Sequence, residues 1–151
     1  MTLEAQQILA NKYGIGSNVW SVTSYTELRR EAHAVERWNM LHPTQQAKKT
    51  YLETVLQNEQ GVFISVSDNV RAVGEQISRW VPGDYYVLGT DGMGRSETRE
   101  ALRRHFEVDA ESIAIATLYR LAKQGVVPAT LAGQAIQELG VDPEKADPLR
   151  A

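Results

Sequence analysis

Hydrophobic positions in the first third of the chain follow two different periods. The opening run MTLEAQQILANKYG places Ala5 and Leu9 on roughly one side of a helix, and glycines end that pattern. The run NVWSVTS, residues 18–24, is rich in β-branched and aromatic side chains and predicts a buried strand. From Tyr25 the helical spacing returns and continues until Pro43. The pattern therefore predicts a helix, a strand and a helix in that order.

The middle of the chain contains a second strand between two predicted helices. A short helix begins near Tyr51 and is closed by Gly61, and the strand follows at Val62–Ser67. Asp68 is a candidate N-cap, because its carboxylate can accept hydrogen bonds from otherwise unpaired amides. The helix that it would cap has an apolar stripe that runs to Val81, where a Pro-Gly pair stops it.

The last part of the chain begins with a third strand and continues with helices. The strand Tyr85–Gly89 enters a glycine-rich loop, and Ser96 is the expected cap of the helix that follows. Two further helices are predicted at Ala110–Gln124 and Pro128–Leu139. The acidic tail from about residue 141 contains prolines and is expected to be irregular.

Short apolar strands that alternate with helices indicate an α/β fold. Parallel strands in such a sheet are joined by right-handed helical crossovers, and the helices cover both faces. We therefore predict a three-layer α/β/α arrangement with a mainly parallel sheet. No repeat or low-complexity segment divides the chain, so one domain is expected over residues 1–151.

Composition removes several classes of function. The formal net charge of −3 and the pI of about 5.6 disfavour a protein that grips a nucleic-acid backbone. The absence of cysteine excludes disulfides, thiolate metal sites and a cysteine nucleophile. No apolar run approaches the ~20 residues of a membrane helix, and no signal peptide is recognisable. We expect a soluble cytoplasmic protein that has neither nucleic acid nor membrane as a partner.

The segment GTDGMGRS is the most suggestive local motif. Gly89 and Gly94 flank four residues and precede Arg95 and Ser96, a pattern that differs at one position from a phosphate-binding P-loop. A P-loop has lysine where Arg95 stands, and Asp91 adds negative charge to a loop whose amides would face phosphate. Nucleotide binding is therefore the minor alternative, and a turn from strand to helix is the main interpretation.

No other residues form a recognisable active site. His33, His42 and His105 lack the spacing that places two metal ligands on one helix face. No serine lies in a Gly-x-Ser-x-Gly elbow. The charges around Arg99 and Arg104 are typical of a solvated or interdomain helix face. The residues by themselves indicate an α/β domain without an active site of its own.

Four ordered segments extend this interpretation beyond single motifs: NVWSVTS, ELRRE, VERWNMLHP and LGTDGMGRSETREALRRHFEVDAESI. In this order they resemble the C-terminal domain of the homodimeric bacterial pyruvate dehydrogenase decarboxylating components, and the resemblance covers nearly the whole chain. That group belongs to the transketolase-like enzymes. The resemblance implies an α/β domain with a mostly parallel, five-stranded sheet.

The resemblance also implies what the longer enzyme would do. Such a homodimeric enzyme decarboxylates pyruvate on thiamine diphosphate and magnesium, and passes the acetyl unit to a lipoyl group on an acetyltransferase partner. The family's diphosphate and magnesium motif, Gly-Asp-Gly followed later by Asn-Asn, belongs to an earlier domain, and Thr90-Asp91-Gly92 is not that motif. No catalytic, cofactor-binding or metal-binding residue is therefore assigned to this chain, and the isolated chain is expected to be inactive.

Two features depart from the family pattern. The family domain usually begins with a strand before its first helix, whereas Leu3 already belongs to the first predicted helix, so that strand is expected to be absent. The connection Thr44–Leu52 lacks the family's proline-flanked arginine run. The chain is expected to be the structural and assembly domain of a longer enzyme or, alternatively, a stand-alone interaction domain of the same descent.

The loop after the third predicted strand is the expected contact with neighbouring domains. Loops at the carboxyl ends of parallel strands collect functional contacts, and glycines let the backbone approach a neighbour closely. Arg95 would donate directional hydrogen bonds to the neighbouring domain, and Asp91 would accept hydrogen bonds from it. The candidate residues are Gly89, Thr90, Asp91, Gly92, Gly94, Arg95 and Ser96.

Overall fold

The computed structural model describes residues 1–150, in which helices surround a short parallel sheet. No helix in this range is both long and apolar enough to cross a membrane. A 3-10 helix at Ser78–Trp80 follows the fourth α-helix. The elements are α1 (Thr2–Tyr13), α2 (Tyr25–Leu41), α3 (Tyr51–Val55), β1 (Val62–Val66), α4 (Arg71–Glu75), β2 (Asp84–Leu88), α5 (Arg99–His105), α6 (Ala110–Lys123) and α7 (Ala129–Glu138).

The sheet consists of β1 and β2, which run parallel with Val62 opposite Asp84 and Val66 opposite Leu88. The crossover between them contains α4, because parallel strands cannot be joined by a tight turn. Since both strands end at the same edge of the sheet, the connections that follow Val66 and Leu88 lie side by side. This edge carries the glycine-rich loop.

Helices cover both faces of the sheet. On one face, Ile64 and Leu88 contact α1 and α6, and α7 packs on α6. On the other face, Phe63 and Tyr85 pack against the cluster that α2, α3 and Trp80 form. Removal of these side chains from water is the main force that holds the layers together. The predicted α/β class is confirmed, with a smaller sheet than the pattern suggested.

Most helices and both strands lie where the periodicity predicts them. Helices α6 and α7 and strands β1 and β2 begin and end within one residue of the predicted bounds. Helix α2 begins at a hydroxyl cap, since Ser24 Oγ accepts a hydrogen bond from the Glu27 amide at 3.2 Å. Thr50 and Glu53 form a reciprocal capping box at α3.

The predicted buried strand at residues 18–24 is wrong. This segment contains no strand, and its apolar side chains are exposed: Val19 to 39%, Trp20 to 52% and Val22 to 41%. A strand needs a neighbour that pairs its amides and carbonyls, and side-chain composition supplies only a propensity. Within residues 1–150, β1 and β2 pair only with each other, so the segment stays outside the sheet.

Two predicted helix caps are also wrong. Val70 is the N-cap of α4, and the side chain of Asp68 is 77% exposed and caps nothing. The continuous helix predicted from residue 68 to Val81 is instead the short α4 followed by the 3-10 helix. Helix α5 is capped by Thr98 and not by Ser96. The Oγ1 atom of Thr98 accepts a hydrogen bond from the Ala101 amide at 3.2 Å.

The tail after α7 has no helix or strand in residues 141–150, yet it is held against the domain. Lys145 Nζ donates hydrogen bonds to the carbonyl oxygens of Arg104 at 3.0 Å and His105 at 2.7 Å, at the end of α5. The last carbonyls of a helix lack the usual partner four residues on, and the ammonium supplies a donor here, although the Arg104 carbonyl oxygen also accepts a hydrogen bond from the Glu107 amide at 3.4 Å. Pro148 is buried, and its carbonyl oxygen lies against Gly92. The tail thus reaches the glycine-rich loop.

Candidate interdomain contact site

The glycine-rich loop joins β2 to α5 at the carboxyl edge of the sheet. It has two parts with different surroundings, separated by Gly92. We call residues 89–91 the inner half and residues 93–96 the outer half. The crossover residues that follow β1 lie beside the inner half, and the tail lies against Gly92.

The inner half is hydrogen-bonded to the crossover that follows β1. The Thr90 amide donates to the carbonyl oxygen of Asn69 at 2.9 Å, and the Thr90 hydroxyl donates to that of Asp68 at 2.8 Å. Asp91 Oδ1 accepts a hydrogen bond from the Arg71 amide at 3.1 Å, and its Oδ2 lies 3.2 Å from Arg71 Nε. These contacts join the connections after β1 and β2 into one unit. Asp91 is engaged within the chain, in contrast to the outward acceptor role expected from the sequence.

Two glycines are required where other backbone closes on the loop. A Cβ at Gly89 would lie 2.6 Å from the carbonyl oxygen of Asn69, and one at Gly92 would lie 2.2 Å from that of Pro148. Gly92 also has a φ of 113°, which residues with a side chain rarely adopt. The loop is therefore packed between the crossover on one side and the tail on the other.

The outer half makes few contacts with the rest of the domain. Met93 is 77% exposed, and a Cβ at Gly94 would meet no atom within 4 Å. Arg95 is exposed and forms no ion pair with any residue in the range 1–150. Ser96 is exposed as well. An exposed methionine and an arginine with no ion pair, both held on a well-bonded base, are typical of a surface that contacts another protein.

A cavity of about 450 Å³ opens between the outer half and α5. Its floor is apolar and is formed by Leu102, Phe106 and Val108, the last two of which are buried. Arg95 and Arg99 are among the residues that border it. The cavity therefore combines an apolar floor with a cationic rim.

His105 lies at the end of α5, in edge-to-face contact with Phe106 at a centroid distance of 4.8 Å. Burial lowers the pKa of His105 below its ordinary value, and the nearby cations Arg95 and Lys145 lower it further against a smaller opposing effect of Glu107. The imidazole is consequently neutral at pH 7. A neutral ring in contact with Phe106 is suited to packing at the end of α5.

The inner half of the loop does not fit a phosphate or magnesium diphosphate site. Phosphate loops leave consecutive amides free to face the ligand, whereas the Thr90 amide is bonded to Asn69. The carboxylate of Asp91 already binds Arg71. No group of three His, Cys, Asp or Glu side chains that could hold a metal ion occurs in the described part of the chain. The geometry therefore favours the contact interpretation of the loop over nucleotide binding.

Sequence reasoning identified the loop but missed the residues that hold it. The contact of Arg71 with Asp91 could have been predicted from the sequence. Arg71 follows β1 as Asp91 follows β2, and opposite charges that follow neighbouring parallel strands can meet at the sheet edge. Asn69 and Pro148 contribute backbone carbonyls, which any residue possesses. Their contacts with the loop had no sequence signal.

Comparison with known proteins identifies the family. Residues 1–109 match the family described as the transketolase-like TK C-terminal domain. The chain is 48% identical over 147 residues to the pyruvate dehydrogenase E1 component of Pseudomonas aeruginosa, 45% over 146 residues to that of Escherichia coli K12, and 45% over 140 residues to that of Mycolicibacterium smegmatis. These matches cover 97%, 96% and 93% of this chain but only 17%, 16% and 15% of the relatives' lengths. The resemblance of the four sequence segments is thereby confirmed, and the chain belongs to the family of transketolase-like C-terminal domains.

Proposed function

We propose that this chain is the C-terminal structural and assembly domain of a thiamine-diphosphate-dependent pyruvate dehydrogenase component, called the parent enzyme below. The parent enzyme would decarboxylate pyruvate and transfer the acetyl unit to lipoamide. Identities of 45–48% to three pyruvate dehydrogenase E1 components, over nearly the whole chain, support this proposal. Because the chain spans about a sixth of those relatives, we assign the reaction to the parent enzyme and not to these residues alone.

Thiamine diphosphate and magnesium would bind to other domains of the parent enzyme. The cofactor supplies the carbanion chemistry, and the surrounding protein positions and shields it. The isolated chain should then neither bind the cofactor nor decarboxylate pyruvate, because its sequence lacks the family's diphosphate and magnesium motif. The carboxylate within the loop, Asp91, is in addition held by Arg71. Calorimetric titration with thiamine diphosphate and magnesium tests this, and saturable heat would contradict it.

The remaining features of the proposal concern assembly. The parent enzyme would be a homodimer that works with a dihydrolipoyl acetyltransferase in the cytoplasm, and residues 1–151 would form one of its domains. An intact-mass measurement on the protein from its native source separates this arrangement from a stand-alone interaction domain. A mass near 16.8 kDa would favour the stand-alone domain, and a mass several-fold larger would favour the parent enzyme.

The outer half of the loop is the proposed contact with a neighbouring domain. The observation that carries this role is the difference between the two halves of the loop. The inner half is bonded to the crossover, whereas Met93 is 77% exposed and Arg95 forms no ion pair within residues 1–150. A contact surface on a rigid base loses little conformational entropy when it binds, so it can bind more tightly.

The variants Met93→Ser and Arg95→Ala in the parent enzyme test this contact. Met40→Ser and Arg37→Ala are matched controls, because Met40 is 69% exposed and Arg37 is exposed on α2. We expect the loop variants to weaken assembly or lower turnover by about fivefold or more, the effect of losing roughly 1 kcal/mol at an interface. Thermal unfolding of the isolated chain should not change. Loop variants that assemble and turn over like the controls would contradict the proposal.

A further inference from the structure

A cationic groove lies beside the outer half of the loop, on a chain whose net charge is −3. Three arginines, Arg95, Arg99 and Arg103, line the cavity between the loop and α5. Asp68 and Glu97 are the acidic residues of the same lining, so its charged side chains sum to a positive value. The local charge is therefore opposite to that of the whole chain.

These arginines contribute little to the fold through ion pairs. Within residues 1–150, Arg95 and Arg99 form no ion pair, and the pair between Arg103 Nη2 and Asp68 Oδ2 is 3.8 Å long. By contrast, Arg104 on the same helix contacts Asp109 at 2.9 Å. Planar guanidinium groups bind carboxylates through paired hydrogen bonds, and here they remain available for that use.

The middle of the groove is apolar. Leu102, Phe106 and Val108 form its floor, and the volume of about 450 Å³ admits a large apolar side chain. Outside the lining, exposed apolar surface lies close to it: Met93 stands between the lining residues Gly92 and Gly94 and is 77% exposed, and Leu149, whose amide is near Gly92, is 59% exposed. An apolar centre with arginine and methionine around it is the composition of a protein interface.

We propose that the groove between the outer half of the loop and α5 binds an acidic protein segment of a neighbouring domain. Carboxylates of that segment would contact Arg95, Arg99 and Arg103, and one large apolar side chain would enter the cavity. This inference rests on the proposed function and specifies the partner of the same site. Charge complementarity selects an acidic partner, and the apolar floor selects a protein segment over an inorganic anion.

Photo-cross-linking in the parent enzyme identifies the occupant of the groove. A benzophenone side chain at position 93, in place of Met93, would lie at the border of the groove, and mass spectrometry would identify the cross-linked peptide. We expect a peptide in which acidic residues lie next to a large apolar residue. A cross-linked segment without that composition, or the absence of any cross-link, would overturn the proposal.

Charge reversal measures the electrostatic part of the contact. The pair Arg95→Glu and Arg99→Glu should weaken assembly of the parent enzyme roughly tenfold or more, and rising salt should weaken wild-type assembly. Arg29→Glu with Arg37→Glu on α2 is the matched control, since both arginines are exposed and form no ion pair within residues 1–150. Equal weakening by the two pairs would overturn the proposal. If Met93→Ser weakens assembly while the charge reversal behaves like its control, the loop contact survives and the acidic partner is excluded.

Inorganic phosphate separates an acidic segment from a small anion. Phosphate is excluded from protein surfaces and stabilises proteins in general, so relative to chloride at equal ionic strength it should raise the melting temperature of this chain only gradually and without saturation. A saturable rise in phosphate would mean that the arginines form a small-anion site, because a ligand that binds the native state raises its stability. That result would overturn the proposal.

Discussion

Replacement of Gly92 by alanine tests whether the tail packs on the glycine-rich loop. The new side chain would have two costs. A φ of 113° strains a residue with a Cβ by about 1–3 kcal/mol. The Cβ would also lie 2.2 Å from the carbonyl oxygen of Pro148, so the tail would have to move. This second cost cannot exceed the free energy of the tail contact, because the tail can leave.

The tail contact sets the size of that second cost. Its release would expose Pro148 and weaken the hydrogen bonds from Lys145 to the end of α5, together about 1–2 kcal/mol. We therefore expect Gly92→Ala to lower the free energy of unfolding by about 2–5 kcal/mol. Each kcal/mol should lower the melting temperature by about 2–4 °C. Gly94→Ala is the control, because its Cβ would meet no atom within 4 Å. Both variants stiffen the unfolded chain equally, so their difference isolates the folded-state cost.

Urea denaturation followed by tryptophan fluorescence supplies the midpoint and slope for each variant. A chain that ends at Asp147 provides a second background in which only the backbone strain of about 1–3 kcal/mol should remain. An equal cost of Gly92→Ala in both backgrounds would show that the tail does not press on the loop. Equal midpoints for Gly92→Ala and Gly94→Ala in the full chain would refute the reasoning.

Three further predictions follow from the caps and from the titrating groups near them. Asp68→Ala should change the free energy of unfolding by less than about 0.5 kcal/mol, because Asp68 caps no helix. Asp109→Ala should lower it by about 1–2 kcal/mol, because Asp109 is the cap of α6. Equal losses for the two variants in urea denaturation would count against this difference. Burial opposes ionisation of Asp109, but hydrogen bonds from the first turn of α6 and from Arg104 outweigh it and hold the pKa of its carboxyl below 3.8. The stability advantage of the wild type over Asp109→Asn should then be complete above about pH 4 and disappear as the pH falls through the folded-state pKa, and an advantage that persists at lower pH would contradict this. The His105 imidazole should titrate below pH 6.5 by NMR, because burial lowers its pKa and Arg95 lowers it further. Arg95→Ala should raise the midpoint of this titration. An unchanged midpoint would mean that Arg95 lies far from the ring.

Periodicity predicted the elements whose partners are near in sequence or whose apolar faces are long. Helix α6 and the strands Val62–Val66 and Asp84–Leu88 lie where the pattern placed them. Residues 18–24 have the same composition as a strand but no neighbour with which to pair, and pairing is a property of the whole fold.

The position of the candidate contact loop could be predicted from the sequence, but its internal bonding could not. Its position followed from the glycines after a parallel strand. Its division into a bonded inner half and an exposed outer half did not, because that division depends on Arg71 and Pro148. The true cap Thr98 and the rejected cap Asp68 are equally good cap residues in isolation. The choice between them depends on where the backbone leaves the sheet edge.

The outer edge of β1 has a consequence for how this chain behaves at high concentration. Within residues 1–150, β1 pairs on one side only, so a row of amides and carbonyls on its other side has no strand partner. Open edges of this kind promote pairing between copies of a chain, and hydrophobic side chains such as the exposed Val19 and Trp20 make such association more favourable. Solubility of the purified domain should therefore be limited by strand-to-strand aggregation, and a lysine introduced on the outer edge of β1 should raise it.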